Sequence, residues 1–275
     1  MQKTDSIAQI RAILNGLPHP LGFVPTMGAL HAGHIELATT ARAQCAAVAA
    51  SVFVNPLQFG ANEDLDRYPR DLEGDAAKLA TAGVDVLFAP TPDVMYPSGF
   101  TTTIDAGNIG TQYEGAVRPT HFRGVATVVA KLLNVVRPDV LFLGQKDAQQ
   151  TAVLRKMIRD LEFPIRVEIV PTVREPDGLA MSSRNAYLNA GQREAAPSLH
   201  RALSALRDAL ANGASKTAAV AEAHHVLSPQ AEADYFDVVN ADTFEPIERL
   251  DPPAFVIGAA RFGTTRLLDN LWIRN

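Results

Sequence analysis

The sequence predicts an α/β protein, a doubly wound and mostly parallel sheet followed by a smaller α+β segment. Three observations carry this. Short apolar runs alternate with helical stretches between residues 21 and 171. One of those runs, AAVAASVFV at 46–54, is apolar throughout, as a parallel strand buried on both faces should be. Beyond about residue 175 the alternation stops, and helices are followed by strands.

The elements follow in order. LGFVP (21–25) reads as the first strand and HIELATTARAQ (34–44) as a helix. The strand at 46–54 is followed by a helix over 71–83, closed by Gly83 as a plausible C-cap. VDVLFAP (84–90) is the third strand. A long helix over 123–138 is stopped by Pro138, and DVLFLG (139–144) is the fourth strand. A helix over 148–163 and the strand IRVEIVP (165–171) complete the alternating part. The stretch from Asn189 contains one or two helices, and KTAAVAEAHHVL another. ADYFDVVN, AFVIGAARFG and TRLLDNLWI then read as strands. The expected division is 1–175 and 176–275.

Composition bounds the function. The 275 residues can bury a large core. Apolar content of 47% with 20% charged residues fits a soluble globular protein. The net charge of −5 argues against a nucleic-acid binder with a basic face. The single cysteine, Cys45, lies in an apolar stretch and reads as a buried core thiol, compatible with a reducing compartment. The N-terminus MQKTDSIAQIRAIL is amphipathic and lacks a signal-peptide core. No apolar run reaches the roughly 18 residues of a membrane span. The expected address is the cytoplasm.

The chemistry-bearing stretch is VPTMGALHAGHIEL (24–37), where the first strand turns into the first helix. In open α/β sheets ligands bind at that edge. Gly28 and Gly33 would let a phosphate approach the backbone, and the helix N-terminus favours an anion. His31 and His34 are three apart, so on a first helical turn their rings share one side. They read as imidazoles touching nucleotide phosphates, or as capped surface histidines. Zinc is the weaker reading, because no further Cys or His is spaced to complete a ligand set. No Gly-Lys-Ser/Thr follows, so this is not a Walker A loop.

The H-x-G-H pattern resembles the nucleotidyltransferase superfamily, which also carries a KMSKS-like loop; MSSRN at 181–185 stands in that place. FVNPLQFGANEDLDRYPRD (53–71), the stretch from RPTHFRG through GQKDAQQ (118–150) and VPTVREPDGLAMSSRN (170–185) together resemble the pantothenate synthetase (pantoate–beta-alanine ligase) family. Gln145 stands where many members have Glu. The resemblance implies a Rossmann-like catalytic domain over 1–175, with 176–275 as a lid. It implies that pantoate attacks the α-phosphate of ATP to give pantoyl adenylate, which beta-alanine converts to pantothenate and AMP. It also implies Mg²⁺ with ATP, no prosthetic group, and a homodimer. The ATP site would comprise Met27, Gly28, Ala29, Leu30, His31, Ala32, Gly33, His34, Gly144, Gln145, Lys146, Asp147, Val173, Met181, Ser182, Ser183 and Arg184. Of these, His34, His31, Lys146, Ser182, Ser183 and Arg184 would be catalytic. Gln58 and Gln150 would hold pantoate, and Gln58 also beta-alanine.

Simpler readings stand beside these. Lys146 could be a solvated lysine and Asp147 an N-cap for the helix starting at Ala148. Phe53 and Val54 could pack on pantoate's methyl groups or be strand core. Arg118, His121 and Arg123 could close over phosphates or order a dimer contact. His224 and His225 read as a solvated or half-buried helix face. NEDLDRYPRD could hold Mg²⁺, or the ion could be held mostly by phosphate oxygens. An aminoacyl-tRNA synthetase would share both signature motifs, but it needs an RNA-binding surface that the charge does not support. A non-catalytic nucleotide-binding module and another acid-adenylating enzyme of the superfamily are the remaining alternatives.

Overall fold

The computed structural model describes residues 1–60 and 65–274. The chain falls into two compact units. The first comprises Met1–Gly144 and Val153–Val170; the second comprises Gln145–Ala152 and the chain from Pro171 onward. This differs from a division at 175/176. Residues 145–146 and 174 hydrogen-bond to the last strand of the second unit, and those bonds group them with it.

The first unit contains β1 (Gln2–Thr4), α1 (Ile7–Leu14), β2 (Leu21–Thr26), α2 (Ala32–Gln44), β3 (Ala47–Val52), α3 (Leu72–Thr81), β4 (Val86–Phe88), the short α4 (Pro92–Met95) and α5 (Glu114–Val117), α6 (His121–Val136), β5 (Val140–Gly144) and β6 (Arg166–Val170). The helix α7 (Ala148–Asp160) is shared along its length by both units. The sheet order is β1-β4-β3-β2-β5-β6, and each pairing is parallel. From β2 the chain steps outward through β3 and β4, then returns to pair β5 on the other side of β2. That reversal is the topological switch point, where the carboxyl ends of strands leave a crevice. The loop after β2 is the HAGH segment.

Burial explains why these segments are strands. Five consecutive residues of β3, Ala47–Ser51, are fully covered, with helices on both faces. Phe23 on β2 and Phe142 on β5 are completely buried. Cys45 is buried as a free thiol, and burial raises its pKa. Helix α3 starts at Asp71, whose side chain accepts from Gly74 N at 3.0 Å. It ends just before Gly83, whose φ of +84° favours glycine. Strand β1 escapes sequence pattern because its three residues, Gln-Lys-Thr, carry no apolar run.

The second unit contains α8 (Ala190–Ala195), α9 (Ser198–Ala211), α10 (Lys216–Val226) and the antiparallel meander β7 (Ala231–Asn240), β8 (Ala254–Phe262), β9 (Thr265–Ile273). Leu199, Leu203, Leu206 and Leu210 recur at helical spacing on α9 and bury against Val238, Val256 and Phe262. His224 and His225 are exposed on α10, with His224 edge-on to Phe236.

One close approach in the first unit bears on the site. Helix α6 packs on the 3₁₀ turn Pro56–Gln58, and a Cβ at Gly124 would lie 2.2 Å from the carbonyl oxygen of Leu57. Backbone cannot yield as a flexible side chain can. Gly124→Ala should therefore destabilise the fold by about 1–3 kcal/mol, read from the urea midpoint. An unchanged midpoint would show that the turn and the helix separate freely.

Candidate active site

The turn after β2 is built by hydrogen bonds that end in one carboxylate. Gly28 and Ala29 adopt left-handed backbone, with φ of +85° and +52°. Ala29 N and Leu30 N then donate to Asp75 Oδ2 and Oδ1, each at 2.8 Å. Asp75 lies on α3 and is 1% exposed. Lys78, one turn on, donates to Leu30 O at 2.8 Å. A Cβ at Gly28 would meet Asp75 Oδ2 at 3.0 Å, so glycine is required here by the chain itself.

The fixed turn delivers the histidines. His31 is the N-cap of α2, in extended backbone, and His34 is its third helical residue. The two therefore share a helix end, although only His34 lies on the first turn. Gly33 N donates to His31 Nδ1 at 3.2 Å, and His31 N donates to His34 Nδ1 at 3.3 Å. This reciprocal pattern is a capping box made of two imidazoles. The ring centroids are 4.1 Å apart. Because each Nδ1 accepts a backbone N–H, the neutral rings carry their hydrogen on Nε2. Capping thus occupies each Nδ1.

Gln58 sits in the same unit, 6% exposed and oriented from several sides. Its Oε1 accepts from Asn55 Nδ2 at 3.0 Å, and its Nε2 donates to Met27 Sδ at 2.9 Å. Asn55 Oδ1 in turn accepts from Tyr96 Oη at 2.7 Å, and burial raises the pKa of that phenol. The carbonyl of Gln58 is held by Arg118 Nη2 at 3.2 Å and His121 Nδ1 at 2.9 Å. Arg118 Nη1 stands 3.3 Å from His121 Nε2, which makes Nδ1 the protonated nitrogen. Arg118 and His121 therefore support the Gln58 turn, and Arg123 is exposed. Phe53 is buried against Tyr96, and Val54 is half-buried.

The second unit carries the remaining candidates, apart from Gly144, which ends β5 in the first. Gln145 is 9% exposed and donates to Asn270 Oδ1 at 3.2 Å, so its amide is committed within the unit. Lys146 Nζ lies 3.1 Å from Asp147 Oδ1. Asp147 stands at the N-cap of α7, its carbonyl accepting from Thr151 N at 2.9 Å. Gln150 is half-buried on the first turn of that helix. Gly144 has open space where a Cβ would stand. Val173 and Met181 pair through Met181 N and Val173 O at 3.0 Å. The segment between them is a hydrogen-bonded hairpin, with Arg174 bridged to Ala180 and Gly178 turning at φ +93°. Ser182 Oγ accepts from Arg184 N at 3.2 Å, which leaves its O–H able to donate. Ser183 and Arg184 are half-buried in the 3₁₀ turn Ser183–Tyr187.

At the hairpin base Arg174 makes a bidentate pair with Asp269, at 2.7 and 2.9 Å. Burial alone would raise the Asp269 pKa, but His200 and Arg174 outweigh it and hold the carboxyl below its ordinary value. Asp269 therefore adds stability that is present above the unfolded carboxylate pKa and is lost as pH falls through the lowered one.

Several of these residues have no sequence signature. Asp75 reads as an ordinary charged residue of a helix first turn. Asn55 reads as a polar residue just past a strand, and Asn270 as a polar residue within one. Their partners are distant in sequence, and only a contact map could have paired them. Of NEDLDRYPRD (62–71), residues 62–64 lie outside the described residues. Among those described, no group of three or more His, Cys, Asp or Glu stands together as a metal site.

The sequence model of the family described as pantoate-beta-alanine ligase matches residues 2–272. The chain belongs to that family. It is an enzyme that ligates pantoate to beta-alanine. A pantothenate synthetase of Chloroflexus aggregans is 50% identical over 278 residues, covering 99% of each chain. The crystal structure of pantothenate synthetase from Thermus thermophilus superposes with a TM-score of 0.94 at 49% identity, covering 100% of both chains. A pantoate-beta-alanine ligase from Francisella tularensis, complexed with beta-gamma ATP and beta-alanine, superposes at 0.82 with 34% identity, covering 99% of this chain and 97% of its own.

The geometry of the turn generates a test. Asp75→Asn keeps the shape but offers one carbonyl oxygen in place of two carboxylate oxygens. One of the Ala29 and Leu30 amides should lose its partner, costing about 1–3 kcal/mol. Amide exchange followed by NMR should quicken at these two residues. Unchanged protection at both would mean that the carboxylate does not hold the turn.

Proposed function

We propose that this ligase works through an acyl adenylate formed at the N-terminus of α2. A carboxylate oxygen of pantoate attacks the α-phosphorus of ATP. The bond from that phosphorus to the bridging oxygen breaks, and its electron pair leaves with pyrophosphate. The amine of beta-alanine then attacks the acyl carbon of pantoyl adenylate. The acyl C–O bond breaks, AMP departs with the electron pair, and the nitrogen loses a proton to give pantothenate.

The observation that carries this reading is the close, tilted histidine pair. Adenylation gathers charge on the α-phosphate and on departing pyrophosphate. Preorganised donors aimed at that charge are the largest usual source of rate. The two imidazoles are locked through Nδ1 and present Nε2–H at a helix N-terminus, where the dipole also favours an anion. Met27, Gly28, Ala29, Leu30, Ala32 and Gly33 form the surrounding ATP-facing turn. Lys146, Ser182, Ser183 and Arg184 supply further donors for phosphate oxygens, and Asp147 suits the ribose hydroxyls. Gly144, Gln145, Val173 and Met181 complete the ATP-binding set. In this reading Gln145 acts through its backbone, because its side chain bonds Asn270.

Gln58 and Gln150 bind pantoate, and Gln58 also meets beta-alanine. An uncharged amide orients the carboxylate and hydroxyl without tying up the nucleophile as a guanidinium would. The Asn55 bond to Gln58 Oε1 leaves the NH₂ end as the donor end. Magnesium enters with the ATP substrate, held mostly by phosphate oxygens. The hairpin 173–181 is tied to its own unit, so the second domain would act as a lid by moving as a body. The resemblance to the family supports a homodimer in the cytoplasm. Among the described residues no helix is long and apolar enough to cross a membrane.

His34→Ala should fold yet lose pantoate-dependent pyrophosphate release by roughly 10²–10³-fold. Folding is checked by the thermal midpoint and release by a coupled pyrophosphate assay. Near-wild-type release from the folded variant would remove His34 from the adenylation step.

A further inference from the structure

The dipeptide Asp269-Asn270 in β9 joins two segments that are far apart in sequence. Successive residues of a strand point to opposite faces. Asn270, 2% exposed, donates from Nδ2 to Gln145 O at 3.0 Å and to Lys146 O at 2.8 Å. Its Oδ1 accepts from Gln145 Nε2. One side-chain amide thus closes three hydrogen bonds on a two-residue turn. Asp269, 5% exposed, faces α9 and takes the Arg174 fork. Arg174 also donates to Gly178 O at 3.0 Å and to Asn270 O at 3.2 Å. His200 Nδ1 on α9 lies 3.5 Å from Asp269 Oδ2. Asp269 Oδ1 further accepts from Asn270 N at 2.7 Å.

We infer that Asp269 and Asn270 are positioning residues for catalysis. Asn270 fixes the backbone that carries Lys146, and Asp269, through Arg174, fixes the hairpin that delivers Met181–Arg184. A single strand thereby sets the spacing between the two groups of phosphate donors. The inference rests on the reading above that these segments face ATP.

Stability alone does not explain the arrangement. Replacing a buried ion pair by apolar side chains of similar volume is often neutral or stabilising. An apolar residue at 270 would leave the backbone carbonyls of Gln145 and Lys146 without these donors, so the amide is what holds that turn. What these polar groups supply is a fixed register of backbone atoms that apolar packing would leave loose. Precise placement matters for electrostatic catalysis, because donors a fraction of an ångström away lose much of their effect.

Two measurements test this on the whole chain. The first is hydrogen exchange by mass spectrometry, which needs no activity. Asn270→Asp keeps side-chain size but turns an oxygen toward two carbonyls. Exchange should rise roughly tenfold in peptides covering 144–148 and stay unchanged in β7 and β8. Asp269→Asn should raise exchange in 174–182 instead. Unchanged exchange in both segments overturns the inference, as does an equal rise across the whole unit. The second is a double-mutant cycle between Asn270→Ala and Lys146→Ala, read as kcat/KM for ATP in pantoate-dependent pyrophosphate release. Each single change should cost roughly tenfold or more, and the double variant should be no worse than Lys146→Ala alone. Multiplying losses would mean that Asn270 acts independently of Lys146 and would overturn its positioning role. Should wild-type protein release no pyrophosphate, the adenylation reading fails, and the exchange experiment still decides whether the strand holds both segments.

Discussion

The carboxylate of Asp75 is the constraint on which the turn from β2 into α2 depends. A strand that must turn sharply into a helix leaves amide N–H groups with no partner inside either element. Here two of them, at Ala29 and Leu30, converge on one buried carboxylate. That bond pair permits the left-handed backbone at Gly28 and Ala29, and the turn in turn places His31 at the N-cap of α2. The imidazoles then replace the usual Ser and Glu of a capping box. The helix obtains its cap, and the two neutral rings a defined tautomer, from the same pair of side chains.

The same economy recurs elsewhere. Tyr96 fixes Asn55, Asn55 fixes Gln58, and Arg118 and His121 hold the Gln58 carbonyl. Gln58 is thus oriented by the buried Asn55. The directions propagate: the Leu57 N–H and the Gly124 carbonyl set the asparagine orientation, the asparagine Nδ2 sets the glutamine oxygen, and the phenol donates to the asparagine oxygen. In the second unit β9 plays the corresponding part for Lys146 and the 173–181 hairpin.

Much of the fold was legible in the sequence because it rests on local patterns. The apolar run at 46–54 became the fully buried β3, and the leucine spacing at 199–210 became the core face of α9. The strand–turn–helix position of HAGH also followed from pattern. Short polar elements such as β1 did not, since an edge strand of Gln-Lys-Thr draws its stability from pairing with β4 alone. The unit boundary was displaced because Asn270 and Asp269 recruit residues more than ninety positions away. The motif residues of the site could be named from the chain, whereas the residues that hold them could not. Asp75, Asn55 and Asn270 act through backbone atoms of distant segments, and backbone atoms leave no mark in a sequence. Arg118 and His121 were visible as a cluster, but their partner proved to be the carbonyl of Gln58.

Activation of pantoate by attack on the α-phosphate of ATP underlies every role assigned to these side chains. Pantoate labelled with ¹⁸O in its carboxylate reads that step when the wild-type protein turns over with ATP and beta-alanine. One labelled oxygen should pass to AMP for each pantothenate formed, with pyrophosphate unlabelled. Label in inorganic phosphate with ADP as the other product, or AMP free of label, would contradict it.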